Sequence, residues 1–416
     1  MAELAVDGGA PVRRAPFPGR KPYDLRDAQQ VLEALNSQEL FFPSATKVYE
    51  FERRFAELYG VRYAVTSTSG TSAIHVALGA INADPGDEVI TTPISDMGTV
   101  APIILNNCIP VFADVEPGTF NLDPDDVERK VTPRTRSLIV VHCWGQPANM
   151  GRLMDIARRH NLLVVEDCAQ AHLTHYHGRL AGTIGDLGSF SLQSSKHLQC
   201  GDGGVTITND EALGERATLY VDKGCDWTKD RRTRLRYAFI APCYRMTELQ
   251  GAVLLSQLDR LEWIVQTRQH LGDLLNGLLA GTPGVYPPER SEGVEHSYWA
   301  FPVRVDEAVL GVSPAEFGQA VAAEGVPVGG AWIGKPLYLF EALAEQITYG
   351  SSHCPFDCPR ASAQVRYYEG MCPNAELALK QLRTLPLNEN YVEADVRDIA
   401  AAVRKVAETL VARRNR

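Results

Sequence analysis

Several features that would point to a membrane or nucleic acid are missing from this sequence. No uninterrupted apolar stretch approaches the roughly 20 residues that a membrane-spanning helix needs, and the start lacks the basic and apolar regions of a secretory leader. Basic residues are in the minority, with 41 Lys and Arg against 51 Asp and Glu. The net charge of -10 offers no attraction to nucleic acid or to an anionic membrane. We therefore expect a cytoplasmic protein that acts on a small molecule.

Cysteine is also scarce, with nine scattered residues among 416. An odd number of cysteines in so long a chain is typical of reduced thiols rather than of a disulfide framework. His353, Cys354, Cys358 and Cys372 lie near each other in the sequence, but C-x3-C without a second close pair is poor zinc spacing. We therefore expect a plain loop and no metal site. The length is sufficient for two domains.

Short apolar runs alternate with helical patterns from residue 61 to about 208. This alternation predicts a largely parallel sheet covered by helices. Ligands of such sheets bind at the carboxyl ends of the strands, so the polar residues that follow each run are the candidate site residues. The runs are Tyr63 to Val65, Glu88 to Ile90, Pro110 to Phe112, Leu138 to Val141, Leu162 to Val165 and Gly204 to Ile207.

Apolar residues recur at helical spacing from Arg245 to about Leu279, which predicts one long helix or two abutting ones. We place the domain boundary in this segment, with a large domain at residues 1–259 and a smaller one at 260–416. The second part has strand-like runs from Tyr298 to Val305 and from Val326 to Val328, between helical patterns. This mixture predicts an α+β domain.

The segment Thr66 to Thr71 ends a predicted strand and opens a helical pattern. Such a turn directs N–H groups and hydroxyls at one point, where the helix dipole favours an anion. Serine and threonine are also common helix N-caps, so a structural role alone stays open.

Two further residues have the chemistry of a reactive site. Asp167 follows the run Leu162 to Val165 and could hold a cationic ring nitrogen, or cap the next helix. Lys196 lies between a strand and the glycine turn Gly201 to Gly204. Burial there would lower the pKa of its amine and make it a nucleophile for imine formation, although most lysines are solvated surface charges.

The order of these segments resembles the DegT/StrS family of sugar and cyclitol aminotransferases over nearly the whole chain. The opening Leu4 to Arg13 is similar to the start of several members that act on cyclitol or aminobenzoate precursors. Other matching positions are Ser69-Gly70-Thr71, His142-Cys143-Trp144-Gly145, Asp167, Gln170, Ser191, Lys196, Gly201 to Gly204, Met246 to Gln250 and Cys372-Pro373.

The resemblance implies an α/β protein of the fold type I of pyridoxal-phosphate (PLP) transferases. It would have a large domain with a mainly parallel seven-stranded sheet and a smaller C-terminal α+β domain. Lys196 would carry PLP as a Schiff base, and Asp167 would hold its pyridine nitrogen. The remaining matches imply that Ser69, Gly70, Thr71 and Ser191 bind the phosphate and that Gln170 lies beside the ring.

The implied reaction moves an amino group from glutamate or glutamine to the ketone of a nucleotide sugar or a cyclitol, in amino-sugar or antibiotic biosynthesis. A homodimer is implied because the segment Tyr244-Arg245-Met246 reaches into the partner's site in the family. A sugar dehydratase on the same fold resembles this chain with histidine in place of Lys196. A PLP-binding regulatory protein without turnover is the alternative from another class.

Two positions depart from the family pattern. Asp96 stands where an aromatic residue usually stacks on the pyridine ring, and Met97 is next to it. We hypothesise that Asp96 contacts substrate while Met97 covers the ring through its polarizable sulfur. Cys243 stands where an asparagine usually reaches the phosphate of the partner subunit.

One basic segment, Lys229 to Arg236, precedes this crossing region in an otherwise acidic chain. This segment would either bind a phosphorylated or nucleotide-linked substrate or form a solvated loop.

Overall fold

The computed structural model of the protein describes residues 3–44, 46–226, 236–361 and 365–415. Its helices are α1 (Leu25–Asn36), α2 (Lys47–Tyr59), α3 (Gly70–Ile81), α4 (Met97–Leu105), α5 (Pro124–Lys130), α6 (Met150–His160), α7 (Glu211–Tyr220), α8 (Glu248–Leu279), α9 (Glu307–Leu310), α10 (Pro314–Ala323), α11 (Glu341–Ala344), α12 (Pro373–Gln381) and α13 (Glu393–Arg414). None of the helices in these ranges is both long enough and apolar enough to cross a membrane.

The strands alternate with these helices in the first part of the chain. They are β1 (Tyr63–Ser67), β2 (Glu88–Thr91), β3 (Ile109–Phe112), β4 (Thr135–Val141), β5 (Leu163–Asp167), β6 (His175–Tyr176), β7 (Arg179–Leu180), β8 (Leu187–Ser191), β9 (Gly204–Thr208), β10 (Cys225–Asp226), β11 (Arg236–Tyr237), β12 (Val285–Tyr286), β13 (Val294–Glu295), β14 (Phe301–Val305) and β15 (Leu382–Leu385). The basic segment from Lys229 lies outside the described residues except for Arg236.

A seven-stranded sheet with the order β1-β9-β8-β5-β4-β2-β3 forms the centre of the α/β part. Strand β9 runs antiparallel to the other six strands, which are parallel to one another. The predicted mainly parallel sheet is therefore confirmed. The six predicted runs correspond to strands of this sheet. The seventh strand, β8, was not among those runs because its glycine and two serines interrupt the apolar pattern.

The carboxyl ends of the parallel strands bring the polar segments together. β4, β5 and β8 end at Val141, Asp167 and Ser191, and their buried residues make the sheet a continuous core. Helices α3 and α4 begin after β1 and β2, at the same edge. The turn before Lys196 follows β8, so the lysine joins this edge as well.

Helix α8 is a single uninterrupted helix of 32 residues, which decides between the two expected forms. Thr247 caps its first turn, in a reciprocal arrangement with Gln250. Its first half contributes Leu254 to the core beneath the sheet, and its second half contributes Leu275 to a separate C-terminal core. The helix therefore spans both cores, and the domain boundary at residues 259 and 260 remains a prediction.

The C-terminal core lies between the antiparallel sheet β12-β14-β15 and helices α10 and α13. The start of the chain also packs there, because Leu4 is buried in the same cluster. The strand expected from Tyr298 begins only at Phe301, since Tyr298 has a φ of 48°. The strand expected at Val326 to Val328 is wrong. Only Gly329 pairs with Thr384, because Pro327 has no N–H to donate.

The cysteine- and histidine-containing segment at residues 353–358 consists of turns, as expected for a plain loop. Cys372 is buried at the start of α12.

Candidate active site

Lys196 projects a buried amine into a cavity at the carboxyl edge of the sheet. The residue is 9% exposed, and its Nζ lies 4.2 Å from the centroid of the Trp299 ring. Burial lowers the pKa of Lys196 to about 8, while the negative charges of Asp167 and Asp96 oppose that shift. A much larger fraction of this amine is therefore neutral near neutral pH than in a solvated lysine, which is the state that imine formation requires.

Asp167 is the last residue of β5 and is almost fully buried. Its Oδ2 accepts a hydrogen bond from the Thr99 hydroxyl (2.8 Å), and its Oδ1 accepts one from the Ala169 N–H (3.0 Å). Burial raises the pKa of Asp167, whereas these hydrogen bonds and the charge of Lys196 lower it. No helix follows directly, since residues 169 and 170 form a turn, so Asp167 is not a helix cap.

The adjacent Glu166 points to the other side of the strand and anchors the edge of the sheet. Its Oε1 accepts hydrogen bonds from the N–H groups of Ile184 and Gly185, both at 2.7 Å. Its Oε2 lies 3.0 Å from Nε2 of His142, whose Nδ1 accepts from the Ala148 N–H. That acceptor places the ring proton on Nε2 and makes His142 a neutral donor to Glu166. The buried group His142, Glu166 and Cys168 is thereby structural rather than an open metal site.

The start of α3 forms a candidate anion cradle. Ser69 caps the helix, since its Oγ accepts from the Ser72 N–H (3.0 Å) and its own N–H donates to Ser72 Oγ (2.8 Å). The N–H groups of Gly70 and Thr71 lie in the first turn, where a helix offers them no acceptor. The positive end of the helix dipole therefore meets unpaired donors at this point.

Glycines allow the loops around the cradle to approach closely. A Cβ on Gly70 would lie 2.7 Å from the Cβ of Ser191, and one on Gly98 would lie 2.5 Å from Oγ1 of Thr71. A Cβ on Gly204 would lie 2.1 Å from the carbonyl oxygen of Ser69. Three separate turns therefore converge on one small volume because side chains are missing between them.

The resulting cavity has a volume of about 360 Å³. Eight of the ten site residues expected from the sequence line it: Ser69, Gly70, Thr71, Asp96, Asp167, Gln170, Ser191 and Lys196. Residues that were not among the ten expected site residues complete the lining, among them Thr99, Gln193, Asp202, Trp299 and Trp332. Of these, Thr99 carried a signal in the sequence because it lies one helical turn after Asp96, and Asp202 carried one because it lies within the turn Gly201 to Gly204.

Met97 and Cys243 do not line the cavity. Met97 is the first residue of α4 and packs against the hydrophobic cluster that contains Ile94 and Phe112. The hypothesis that Met97 covers a ring therefore finds no support in this geometry. Cys243 is exposed, and its thiol lies 3.9 Å from Oδ1 of Asp222.

The chain also matches known proteins along most of its length. The model of the DegT/DnrJ/EryC1/StrS aminotransferase family matches residues 23–404. The chain belongs to this family. It is therefore a PLP-dependent aminotransferase of fold type I.

Individual relatives give the same result. The L-glutamine:2-deoxy-scyllo-inosose aminotransferase of Streptomyces kanamyceticus is 34% identical over 359 residues, which cover 81% of this chain and 83% of that protein. The GDP-perosamine synthase of Caulobacter vibrioides is 35% identical over 263 residues, covering 63% and 70%. The X-ray structure of an aminotransferase from Psychrobacter cryohalolentis superposes with a TM-score of 0.84 at 26% identity, covering 95% of this chain and 99% of that chain.

The cavity has the chemistry that PLP requires. A buried amine of lowered pKa is available at Lys196 for the aldehyde. The carboxylate of Asp167 has the charge that suits a protonated pyridine nitrogen. The N-terminus of α3 and the nearby Ser191 hydroxyl form a cradle suited to a phosphate. The absence of a side chain at Gly70 leaves the space between them open.

The predicted partnership of Asp167 with a ring nitrogen leads to a test on two neighbouring acids. We expect Asp167→Asn to leave the fold intact and to lower the transamination rate by about two powers of ten or more, because an amide cannot stabilise a pyridinium charge. Glu166→Gln is the matched control. It should lower the urea midpoint of unfolding while the folded enzyme keeps its rate within a few-fold. An Asp167→Asn rate within a few-fold of wild type would contradict the assignment.

Proposed function

We propose that this enzyme transfers an amino group from glutamine or glutamate to the ketone of a cyclitol or sugar ring, with Lys196 and Asp167 as its catalytic residues. One observation carries the proposal: the buried amine of Lys196, the carboxylate of Asp167 and the anion cradle of α3 face one cavity. A lysine at position 196 also supports amino transfer over the dehydratase reaction of the histidine-bearing branch. We place the reaction in amino-sugar or antibiotic biosynthesis.

The chain supplies position and proton transfer to this chemistry. PLP, when bound, supplies an electron-withdrawing ring that stabilises negative charge at the substrate carbon. The Asp167 carboxylate, oriented by Thr99 and Ala169, would hold the proton on the pyridine nitrogen. The Nζ of Lys196 would take a proton from the substrate carbon and deliver it to the cofactor carbon on the other side of the amino nitrogen. Ser69, Thr71 and Ser191 would hold the phosphate, and Gln170 would lie beside the ring.

The lining of the cavity supports an uncharged, hydroxyl-rich acceptor. Lys196 is the only Lys, Arg or His among the described residues that line it. The exposed carboxylate of Asp96 and the carboxylate of Asp202 are acceptors for substrate hydroxyls. The rings of Trp299 and Trp332, with centroids 5.7 Å apart, offer apolar faces to the C–H groups of a ring. We therefore favour a free cyclitol ketone, as the name of the Streptomyces relative suggests, over a nucleotide-linked sugar.

Two measurements test this function together: turnover, and the capture of PLP by Lys196, meaning imine formation between its amine and the PLP aldehyde. Purified protein with PLP, glutamine and a cyclitol ketone should form the amino cyclitol, and Lys196→Arg should form none. Without cofactor, the wild-type protein should capture PLP faster as the pH rises and level off above about 8, because only the neutral amine of Lys196 reacts.

The absorbance of the lysine-bound cofactor measures this capture. Lys335→Arg is the matched control, because Lys335 is an exposed lysine that also lies over an aromatic ring, that of Phe340. Capture that persists in Lys196→Arg, or that rises only near pH 10.5, would remove Lys196 from the mechanism. Turnover of a nucleotide-linked ketone alone would contradict the acceptor proposed here.

Asp96 is proposed to bind the acceptor. Its Oδ1 caps α4 by accepting from the Gly98 N–H (2.8 Å), a function that asparagine can also perform. Asp96→Asn should therefore keep the helix and PLP affinity, yet raise the acceptor KM about tenfold through loss of a charge-assisted hydrogen bond. It should also move the pH midpoint of PLP capture downward, because the charge of Asp96 raises the pKa of Lys196. Weaker PLP binding with an unchanged acceptor KM would reverse the assignment.

A homodimer is proposed from the segment around Cys243. Ile240 is 96% exposed and Tyr237 is 53% exposed, so this stretch presents apolar side chains that a second copy would cover. Such a dimer would bring the exposed Cys243 and the adjoining Tyr244 and Arg245 towards the anion cradle of the partner subunit, while Met246 stays in its own core. In sedimentation velocity at assay concentration we expect a dimer for the wild type and dissociation for Ile240→Asp. Leu377→Asp, on the exposed face of α12, should remain dimeric. An active wild-type monomer would refute the proposal.

A further inference from the structure

A single buried carboxylate, that of Glu389, lies between two arginines from distant parts of the chain. Glu389 is 6% exposed and follows β15. Its Oε2 accepts from Nε (2.9 Å) and Nη2 (2.7 Å) of Arg268, in the middle of α8. Its Oε1 accepts from Nε of Arg20 (2.8 Å), in the segment before α1. One carboxylate therefore joins the N-terminal segment, α8 and the C-terminal region.

The remaining nitrogens of the two arginines reach the backbone of the active site. Nη2 of Arg20 donates to the carbonyl oxygen of Lys196 (3.0 Å), and Nη1 donates to that of Ser194 (3.4 Å). Nη1 of Arg268 donates to the carbonyl oxygen of Trp299 (3.0 Å). The catalytic lysine and the tryptophan under its amine are thus both held by guanidinium groups that share Glu389.

A direct bond closes this set of contacts, since the Trp299 indole N–H donates to the carbonyl oxygen of Ser195 (2.9 Å). Arg268 is only 2% exposed, so its charge has little water to replace a lost carboxylate. Without the charge of Glu389, Arg20 and Arg268 would repel each other. Arg20, whose side chain is 20% exposed, is then the group free to move towards solvent. Its departure would leave the Lys196 carbonyl without this donor.

We propose that Glu389 is a positioning residue that sets the placement of Lys196 against Trp299 through Arg20 and Arg268. The inference rests on the proposed catalytic role of Lys196. Glu389 would then be needed for the geometry of the site although it lies about 190 positions from Lys196 in the sequence. The guanidinium fork suits this function, because each arginine can donate to a carboxylate and to a backbone carbonyl at once.

Glu389→Gln tests the proposal, and Glu324→Gln is its matched control. Glu324 is fully buried and joins the N-terminal segment to the C-terminal region as well, by accepting from the N–H groups of Ala5 and Val12 and from Lys405. Among the described residues, Glu324 makes no hydrogen bond to the lysine turn, residues 194–196. Both variants should lose thermal stability, so stability alone does not distinguish a positioning residue from a structural one.

The distinguishing measurements are amide hydrogen exchange of residues 194–196 in the protein without cofactor, and the split between kcat and KM. We expect Glu389→Gln to accelerate this exchange at least tenfold and to lower kcat at least tenfold, with the donor KM within twofold. Glu324→Gln should change neither quantity. Exchange at the wild-type rate, or the same effects in Glu324→Gln, would overturn the inference.

Arg20→Gln provides a second variant in case Glu389→Gln does not fold. It removes the link to Lys196 while leaving the Arg268–Glu389 pair intact, so it should reproduce the faster exchange and the lower kcat. Wild-type behaviour of a folded Arg20→Gln would also overturn the inference. The proposed function is tested separately, because turnover by Lys196→Arg would refute the role of the lysine whatever the result at Glu389.

Discussion

Burial of the Lys196 amine is the constraint on which the site depends. A charged ammonium loses hydration when it is buried, and the pKa falls to about 8 as a result. A carboxylate in direct contact would restore the proton, but among the described residues Lys196 has no ion pair. The amine lies over the face of Trp299 instead, which attracts a cation less strongly than a carboxylate does. The amine is therefore kept buried but still able to gain and lose a proton.

The same constraint explains how the acids around the amine are arranged. Asp167 and Asp96 raise the pKa of Lys196 from a distance, which moderates the effect of burial without holding the proton in an ion pair. Asp167 is buried too, and its two oxygens are held by Thr99 and Ala169. Its neighbour Glu166 faces the opposite side of β5 and fixes the strand ends through His142. Two adjacent acids thus serve different purposes because side chains alternate along a strand.

The support for this arrangement comes from outside the sheet. Arg20, Arg268 and Glu389 approach the lysine turn from three separate segments, and Trp299 comes from the segment before β14. The position of the amine therefore depends on how the N-terminal segment and the C-terminal region pack against the lysine turn. This dependence is the physical basis of the proposal that Glu389 positions Lys196.

The sequence by itself determined the alternation of strands and helices and the helical character of the α8 segment. Of the eight cavity residues, Ser69, Gly70, Thr71, Asp167 and Lys196 carry a local signal. The family resemblance alone indicated Asp96, Gln170 and Ser191. Asp167 and Ser69 stand where an apolar run ends, and Lys196 precedes a glycine turn. Strand β8 gives no apolar run because of its small residues, so only its position before the lysine and the glycine turn indicated a strand there. Only the tertiary structure decided that Met97 turns into a hydrophobic cluster while Asp96 faces the cavity. It also brought Trp299 and Arg20 to the lysine, and Glu389 to Arg20, since contacts between residues a hundred or more positions apart leave no periodicity or motif in a single sequence.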